Sequence, residues 1–186
     1  NNLIIAGMAN DNVTSGTGVD IIIGDSGEAI ADGVGLLREI RTTNLGDGGN
    51  DTIVAGSGGN TVLAGQGADN ITSTTAAGTR DILVGDNGEV FISAANIVTS
   101  FESTDLSDAT GGADVILGSD ANTYALGGTG ADQITTGSGI DSILGDHGKV
   151  TYNADGSLSK AESKLSDQGG DDVIVAGDGN NLIIAG

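Results

Sequence analysis

Along most of this chain an Asp or Asn is followed two residues later by a large side chain, and the pair returns about every nine residues. The polar members are Asn2, Asp11, Asp20, Asp51, Asn60, Asp69, Asp81, Asp114, Asn122, Asp132, Asp141, Asp172 and Asn181. Their followers are aliphatic (Ile4, Val13, Ile22, Ile53, Val62, Ile71, Leu83, Ile116, Ile134, Ile143, Ile174, Ile183), with Tyr124 the exception. Glycines stand before the polar residue and again after each short apolar run. The pattern predicts strands of three or four residues closed by turns, too short to stand alone. Each becomes stable by stacking on an equivalent strand about 4.8 Å away. Two such half-turns make one coil of a parallel β-solenoid, so residues 18 apart lie one above another. That rule predicts inward ladders of Ile53, Ile71, Ile116 and Ile134 on one sheet, and of Val62, Leu83, Tyr124 and Ile143 on the other.

The half-turns are grouped. Gly24-Asp25-Ser26-Gly27, Gly85-Asp86-Asn87-Gly88 and Gly145-Asp146-His147-Gly148 recur at spacings of 61 and 60 residues, and residues 1–7 and 180–186 share the sequence NNLIIAG. Residues 1–186 therefore form a single continuous solenoid segment of three modules. Because the chain opens on Asn1 with no initiator Met, it is expected to be a portion of a longer tandem array. Each module carries four polar positions in the order Asp, Asn, Asp, Asp, and then an insert: 28–46, 89–110 and 149–168. In the third insert Asp155-Gly156 separates two alternating stretches and predicts a β-hairpin. Asp32-Gly33 holds the corresponding place in the first. The second lacks the glycine, so a different turn is expected there. The sheet bearing Leu3, Ile5, Ile21, Ile23, Ile82 and Val84 has an apolar outer face, which the inserts or a neighbouring strand of the same fibre are expected to cover.

Composition agrees with stacked aliphatic ladders: 34 glycines, 2% aromatic residues and no cysteine. Charge narrows the partners. With 26 acidic residues against 6 Lys and Arg, the net charge of −20 disfavours nucleic acid and anionic membrane. No apolar run is long enough to insert in a bilayer. A single histidine, His147, expected to be exposed in its turn, and the lack of any nucleophile motif argue against an enzyme.

The same winding stacks acids. It pairs Asp51 with Asp69, Asp114 with Asp132, and Asp172 with the next period's copy of Asp11. Carboxylates held one coil apart repel unless a cation lies between them, and Ca²⁺, a hard ion taking six to eight oxygens, suits carboxylates with turn carbonyls. The opposite edge pairs Asn2 with Asp20, Asn60 with Asp81 and Asn122 with Asp141, and Asn181 repeats Asn2. One carboxylate and one amide make either a weaker site or a hydrogen-bonded rung. Asp25, Asp86 and Asp146 either ligate as well or close their own turns. Glu28 and Glu89 stand where a further ion could bind, and the Lys149 ammonium could replace one.

GGNDTIVAG (Gly48 to Gly56), GQGADNITS (Gly65 to Ser73) and GGTGADQIT (Gly127 to Thr135) resemble the RTX, or haemolysin-type, calcium-binding nonapeptide. The resemblance implies a parallel β-roll that folds on extracellular Ca²⁺ in secreted or surface-attached bacterial proteins exported by type I systems. The family's arrays are usually uninterrupted. The inserts here shift the analogy towards giant repetitive surface proteins. The expected role is structural: the shaft of a large adhesin, surface filament or matrix fibre. Its partners would be adjacent repeats of the same protein, with head-to-tail or lateral contacts. The alternative is a Ca²⁺-dependent module that binds a glycan or protein.

Overall fold

The computed structural model describes residues 1–105, 109–165 and 167–186; residues 106–108 and 166, inside two of the expected inserts, lie outside the described residues. Among the described residues nineteen strands, β1 to β19 in chain order, form three sheets. The first sheet is parallel and runs β1 (Leu3–Ile5), β3 (Ile21–Ile23), β7 (Thr61–Leu63), β9 (Arg80–Val84), β13 (Asn122–Leu126), β15 (Ser142–Leu144), β19 (Leu182–Ile184). The second, also parallel, runs β2 (Asn12–Thr14), β6 (Thr52–Ala55), β8 (Asn70–Ser73), β12 (Val115–Leu117), β14 (Gln133–Thr135), β18 (Val173–Val175). The chain alternates between these two sheets half a coil at a time, giving the parallel β-roll that the spacing predicts.

Because side chains alternate along a strand, the middle residue of each three-residue strand points inward. Ile22, Val62, Leu83, Ala125 and Ile143 stack on the first sheet, and Val13, Ile53, Ile71, Ile116 and Ile134 on the second. Tyr124 departs from the expectation. In the β9–β13–β15 register Ala125 is the inward residue, while Tyr124 faces outward onto Phe101 and Tyr152. The polar slot before it belongs to Thr123, which pairs with Asp81 and lies nine residues after Asp114. Asn122 stands one residue short of that slot. Keeping the period exposes the error that following the amide introduces.

The inserts form three hairpins: β4 (Gly27–Ala31) with β5 (Leu37–Thr42), β10 (Gly88–Ile92) with β11 (Val98–Ser103), and β16 (Gly148–Tyr152) with β17 (Leu158–Ser163). They join edge to edge into one antiparallel sheet. All three close with the same five-residue loop, in which Asp32, Ser93 and Asn153 N–H donate to Leu36, Ile97 and Ser157 carbonyls. The left-handed residue is Gly35, Asn96 or Gly156 (φ 84°, 58°, 82°). The first turn therefore depends on Gly35 rather than on Gly33. The second does not differ, because Asn tolerates the left-handed region that glycine otherwise supplies.

The hairpin sheet lies on the outer face of the first sheet. Ile23, Leu63, Ile82, Val84, Leu126 and Leu144 pack there against Ile40, Val90, Val98, Phe101, Val150 and Tyr152 in a second core. The expected cover over the apolar outer face is thus supplied by the inserts. Only the end strand, beyond the hairpins, keeps its outward residues exposed (Leu3 56%, Ile5 44%). Geometry explains why an insert comes once every two coils. Each module adds two strands to each of the three sheets, so a two-stranded hairpin is as tall as the two coils it covers.

The second core makes the hairpins structural. Phe101 is fully buried, with its ring stacked 5.6 Å from Tyr124 and 6.4 Å from Tyr152. Phe101→Ala is expected to lower the stability of the calcium-loaded chain by about 3–5 kcal/mol, read by urea denaturation. Hairpins that merely decorated the coil would make the same substitution nearly silent.

Candidate metal centre

Strand-to-strand turns line two edges of the coil. On the edge leading from the first sheet to the second, six carboxylates form an unbroken column. Asp11 N–H donates to Asp51 Oδ1 (2.8 Å), Asp51 to Asp69 (2.6 Å), Asp69 to Asp114 (2.7 Å), Asp114 to Asp132 (2.8 Å) and Asp132 to Asp172 (2.9 Å). The 18-residue pairs stack as expected. The column also continues across each insert, where the sequence separation becomes 40 or 45. The hairpin leaves and re-enters the coil without shifting the rungs.

Asp51, Asp69, Asp114, Asp132 and Asp172 each spend Oδ1 on a backbone N–H, which leaves Oδ2. In all six that second oxygen is buried with no hydrogen-bond partner. An orphaned buried carboxylate oxygen is costly, and this edge repeats it at every rung. The oxygens sit beside turn carbonyls where glycine leaves room. A Cβ on Gly24 would strike Asp51 Oδ2 and the Ala64 carbonyl; one on Gly127 would strike Asp132 Oδ2 and the Gly145 carbonyl; one on Gly145 would strike Asp172 Oδ2 and the Ala185 carbonyl. Among the described residues no three acidic, His or Cys side chains gather into a metal-binding group. A cation held here would therefore draw its remaining ligands from carbonyls, a donor set that fits Ca²⁺ and does not fit softer metals.

No lysine or arginine offsets this charge. Among the described residues the side-chain ion pairs all lie on the hairpins: Arg38 with Asp32, Arg41 with Glu28 and Glu39, Lys149 and Lys164 with Glu102, Lys160 with Glu162. The sixth basic residue, Arg80, lies over the Tyr124 ring. Burial accordingly pushes Asp69 up to about 8 and Asp132 to about 7, raises Asp51 and Asp172, and carries Asp114 well above the usual carboxylate value. Neighbouring carboxylates add to each shift.

Asp25, Asp86 and Asp146 lie on the same edge, at the base of each insert. Asp25 accepts from Gly49 N–H (3.1 Å) and Gln66 N–H (2.6 Å); Asp86 accepts from Gly112 N–H (3.0 Å) and from Thr129 N–H; Asp146 accepts from Gly170 N–H (2.9 Å). They close neither their own turns nor an empty position. Each joins the two legs of its insert, and Asp25 and Asp86 add the next coil. Gly65 and Gly128 (φ 115° and 114°) are required beneath Asp25 and Asp86, because a Cβ there would meet the carboxylate. Burial pushes Asp25 up to about 6 and Asp86 to about 9.

The opposite edge has different chemistry. Its rungs are Asn2, Asp20, Asn60, Asp81, Thr123, Asp141 and Asn181, so no two carboxylates are adjacent. Asn122, assigned to this column from sequence, instead accepts from Ile140 N–H outside it. Hydroxyls serve the acids. Asp81 Oδ2 accepts from Ser73 (2.6 Å) and its Oδ1 from Thr75 (2.9 Å), while Asp141 Oδ2 accepts from Thr136 (2.7 Å). At Asp20, burial works to raise the acid. The Ser15 hydroxyl, the Asn2 N–H and side chain, and the nearby N-terminal amine outweigh it and hold Asp20 low, although its Oδ2 accepts no well-aligned bond. Sequence reasoning missed these hydroxyls, yet a signal exists. Five residues before the acid stand Ser15 and Thr136 on this edge, against Ala6, Ala64 and Gly127 on the acidic one.

Three other expectations need correction. Glu28, Glu89 and Lys149 are not on the coil edge. They lie in one row across the hairpin sheet, Glu28–Arg41–Glu89–Glu102–Lys149–Glu162, where basic side chains meet them. Lys149 does take a cation's place, but beside Glu102 (2.5 Å) rather than in the acid column. His147 is fully buried, its Nε2 3.3 Å from the Thr129 hydroxyl, because the hairpin folds over the turn that carries it.

Comparison with known families agrees with this layout. The RTX calcium-binding nonapeptide repeat (4 copies) matches residues 1–28, 45–74, 108–143, 126–149 and 165–186, more than half of the chain. The unmatched stretches are centred on the hairpins. No curated protein and no solved structure matches the chain.

Proposed function

Because the chain belongs to the RTX calcium-binding nonapeptide repeat family, we propose that it is a calcium-stiffened segment of an extracellular shaft, part of a large bacterial adhesin, surface filament or matrix fibre. One observation carries the reading: six stacked carboxylates with buried, unpartnered Oδ2 atoms and no basic side chain beside them. When bound, Ca²⁺ would supply the positive charge that this column lacks and would tie consecutive coils together. Asp11, Asp51, Asp69, Asp114, Asp132 and Asp172 would hold it, with turn carbonyls completing the shell.

The architecture supports a shaft over a ligand-binding module. The hairpins, which would serve as grips for a glycan or protein, turn their inner faces onto the first sheet and fill the second core. The Phe101, Tyr124 and Tyr152 rings stack on one another in that core, where they cannot platform a sugar. Rungs of constant chemistry from end to end suit lengthwise continuation, with adjacent repeats as the partners.

Small-angle scattering on tandem copies in calcium tests this. Two coils per module predict a rod that lengthens by about 10 Å per module at fixed cross-section. A maximum dimension growing with the cube root of mass would refute the shaft.

A further inference from the structure

The two edges of the coil, alike in sequence spacing, have different atoms on offer. Along the acidic edge every rung presents a bare buried Oδ2, and every neighbour is another Asp. Along the other edge Asp20, Asp81 and Asp141 are isolated from one another by Asn60 and Thr123. Hydroxyls of Ser73, Thr75 and Thr136 occupy the lone pairs of Asp81 and Asp141 that a cation would use; Asp20 keeps a bare Oδ2, but its neighbours in the column are the amides Asn2 and Asn60, with no second carboxylate. The Asn60 amide goes further, donating back to the Gly56 carbonyl (2.8 Å), and the Asn181 amide to the Gly177 carbonyl (3.1 Å). These turn carbonyls are the kind of oxygen a calcium shell would need. Here they already hold N–H groups.

We propose that this second edge binds no cation and is held by hydrogen bonds, so that calcium acts along the acidic edge alone. The inference rests on the calcium-binding reading above and deepens it: repeat spacing alone would place ions on both edges, and the hydroxyl five or six residues before the acid decides otherwise. Calcium then fills the five gaps between the six acidic rungs. Its removal takes the cross-ties from that edge first, and loss of the stacked coils follows from there.

Counting ions on the whole chain tests the proposal, by native mass spectrometry and by calorimetric titration with calcium chloride. Five ions per chain are expected. Asp132→Asn and Asp69→Asn, on the acidic edge, should each lower the count by one or two. Asp141→Asn should leave it at five, since Asn retains an oxygen for the Thr123 N–H. Thr123→Asp should raise it, because it alone would make three consecutive carboxylates with Asp81 and Asp141. A count well above five that falls in Asp141→Asn would overturn the one-edge assignment and leave the calcium-binding reading intact. Unchanged counts in Asp132→Asn and Asp69→Asn, or no binding at all, would instead remove the calcium-binding reading itself.

Discussion

Withdrawal of calcium is expected to abolish the β-rich circular dichroism spectrum of this chain, and restoring it to recover the spectrum in one cooperative step. The reason lies in the balance of terms along the acidic edge. Six stacked rungs place like charges one coil apart with no Lys or Arg among them. Each calcium bound at tenfold excess over its dissociation constant contributes about 1.4 kcal/mol. Five contribute about 7 kcal/mol, comparable with the ~5–15 kcal/mol net stability of a whole domain. An ion held between two stacked rungs would order both of them, so binding one would pre-form the next site and make the transition steep. Calcium sites of extracellular modules bind in the range of about 10⁻⁴ to 10⁻³ M, and the midpoint is expected there. A spectrum indifferent to EGTA would show that hydrophobic stacking suffices without the ions.

Much of this was readable from residue spacing, and the reasons are physical. A nine-residue period with glycine turns permits few windings, so the two parallel sheets, the inward ladders and the Asp51–Asp69 and Asp114–Asp132 pairs follow directly. The apolar outer row of Ile21, Ile23, Ile82 and Val84 likewise demanded a cover, and the hairpins provide it. What the spacing could not convey was three-dimensional proximity between distant segments. Continuation of the acid column from Asp69 to Asp114 depends on a hairpin exactly two coils tall, a property of the assembled sheet. The role of Asp86 depends on Gly112 and Thr129 arriving beside it from beyond the insert. His147 reads as a surface turn residue until the hairpin closes over it.

The errors of register are equally instructive. Asn122 drew the polar slot towards itself because an amide resembles its Asp and Asn neighbours more than Thr123 does. The inward position demands a small or aliphatic residue, and Ala125 meets that demand whereas Tyr124 does not. A tyrosine in the inner core would also have had to bury its hydroxyl among aliphatic ladders. Side-chain size and polarity at the follower position are therefore a better guide to register than the identity of the preceding polar residue.

Acid should substitute for calcium, and this gives the second large effect. In the calcium-free protein the raised acids include Asp25 (about 6), Asp132 (about 7), Asp69 (about 8) and Asp86 (about 9), against a usual value of 3.8, with burial the leading cause in each. A carboxyl whose folded value lies above its unfolded one binds more protons when folded. Its contribution is complete below about pH 4 and is lost as pH rises through the folded value. Desalted, chelator-treated protein should therefore keep its β-structure near pH 4 and lose it progressively between about pH 6 and 9. With calcium present the dependence inverts, because protons now compete with the ion for the same oxygens, and stability should fall as the solution is acidified. Sodium chloride distinguishes this from general repulsion in a chain of net charge −20: salt screens exposed charges beyond about 10 Å at 0.1 M but reaches buried pairs far less. If high salt restored the calcium-free fold at pH 8 as fully as acid does at pH 4, the instability would belong to the surface at large and not to the buried column.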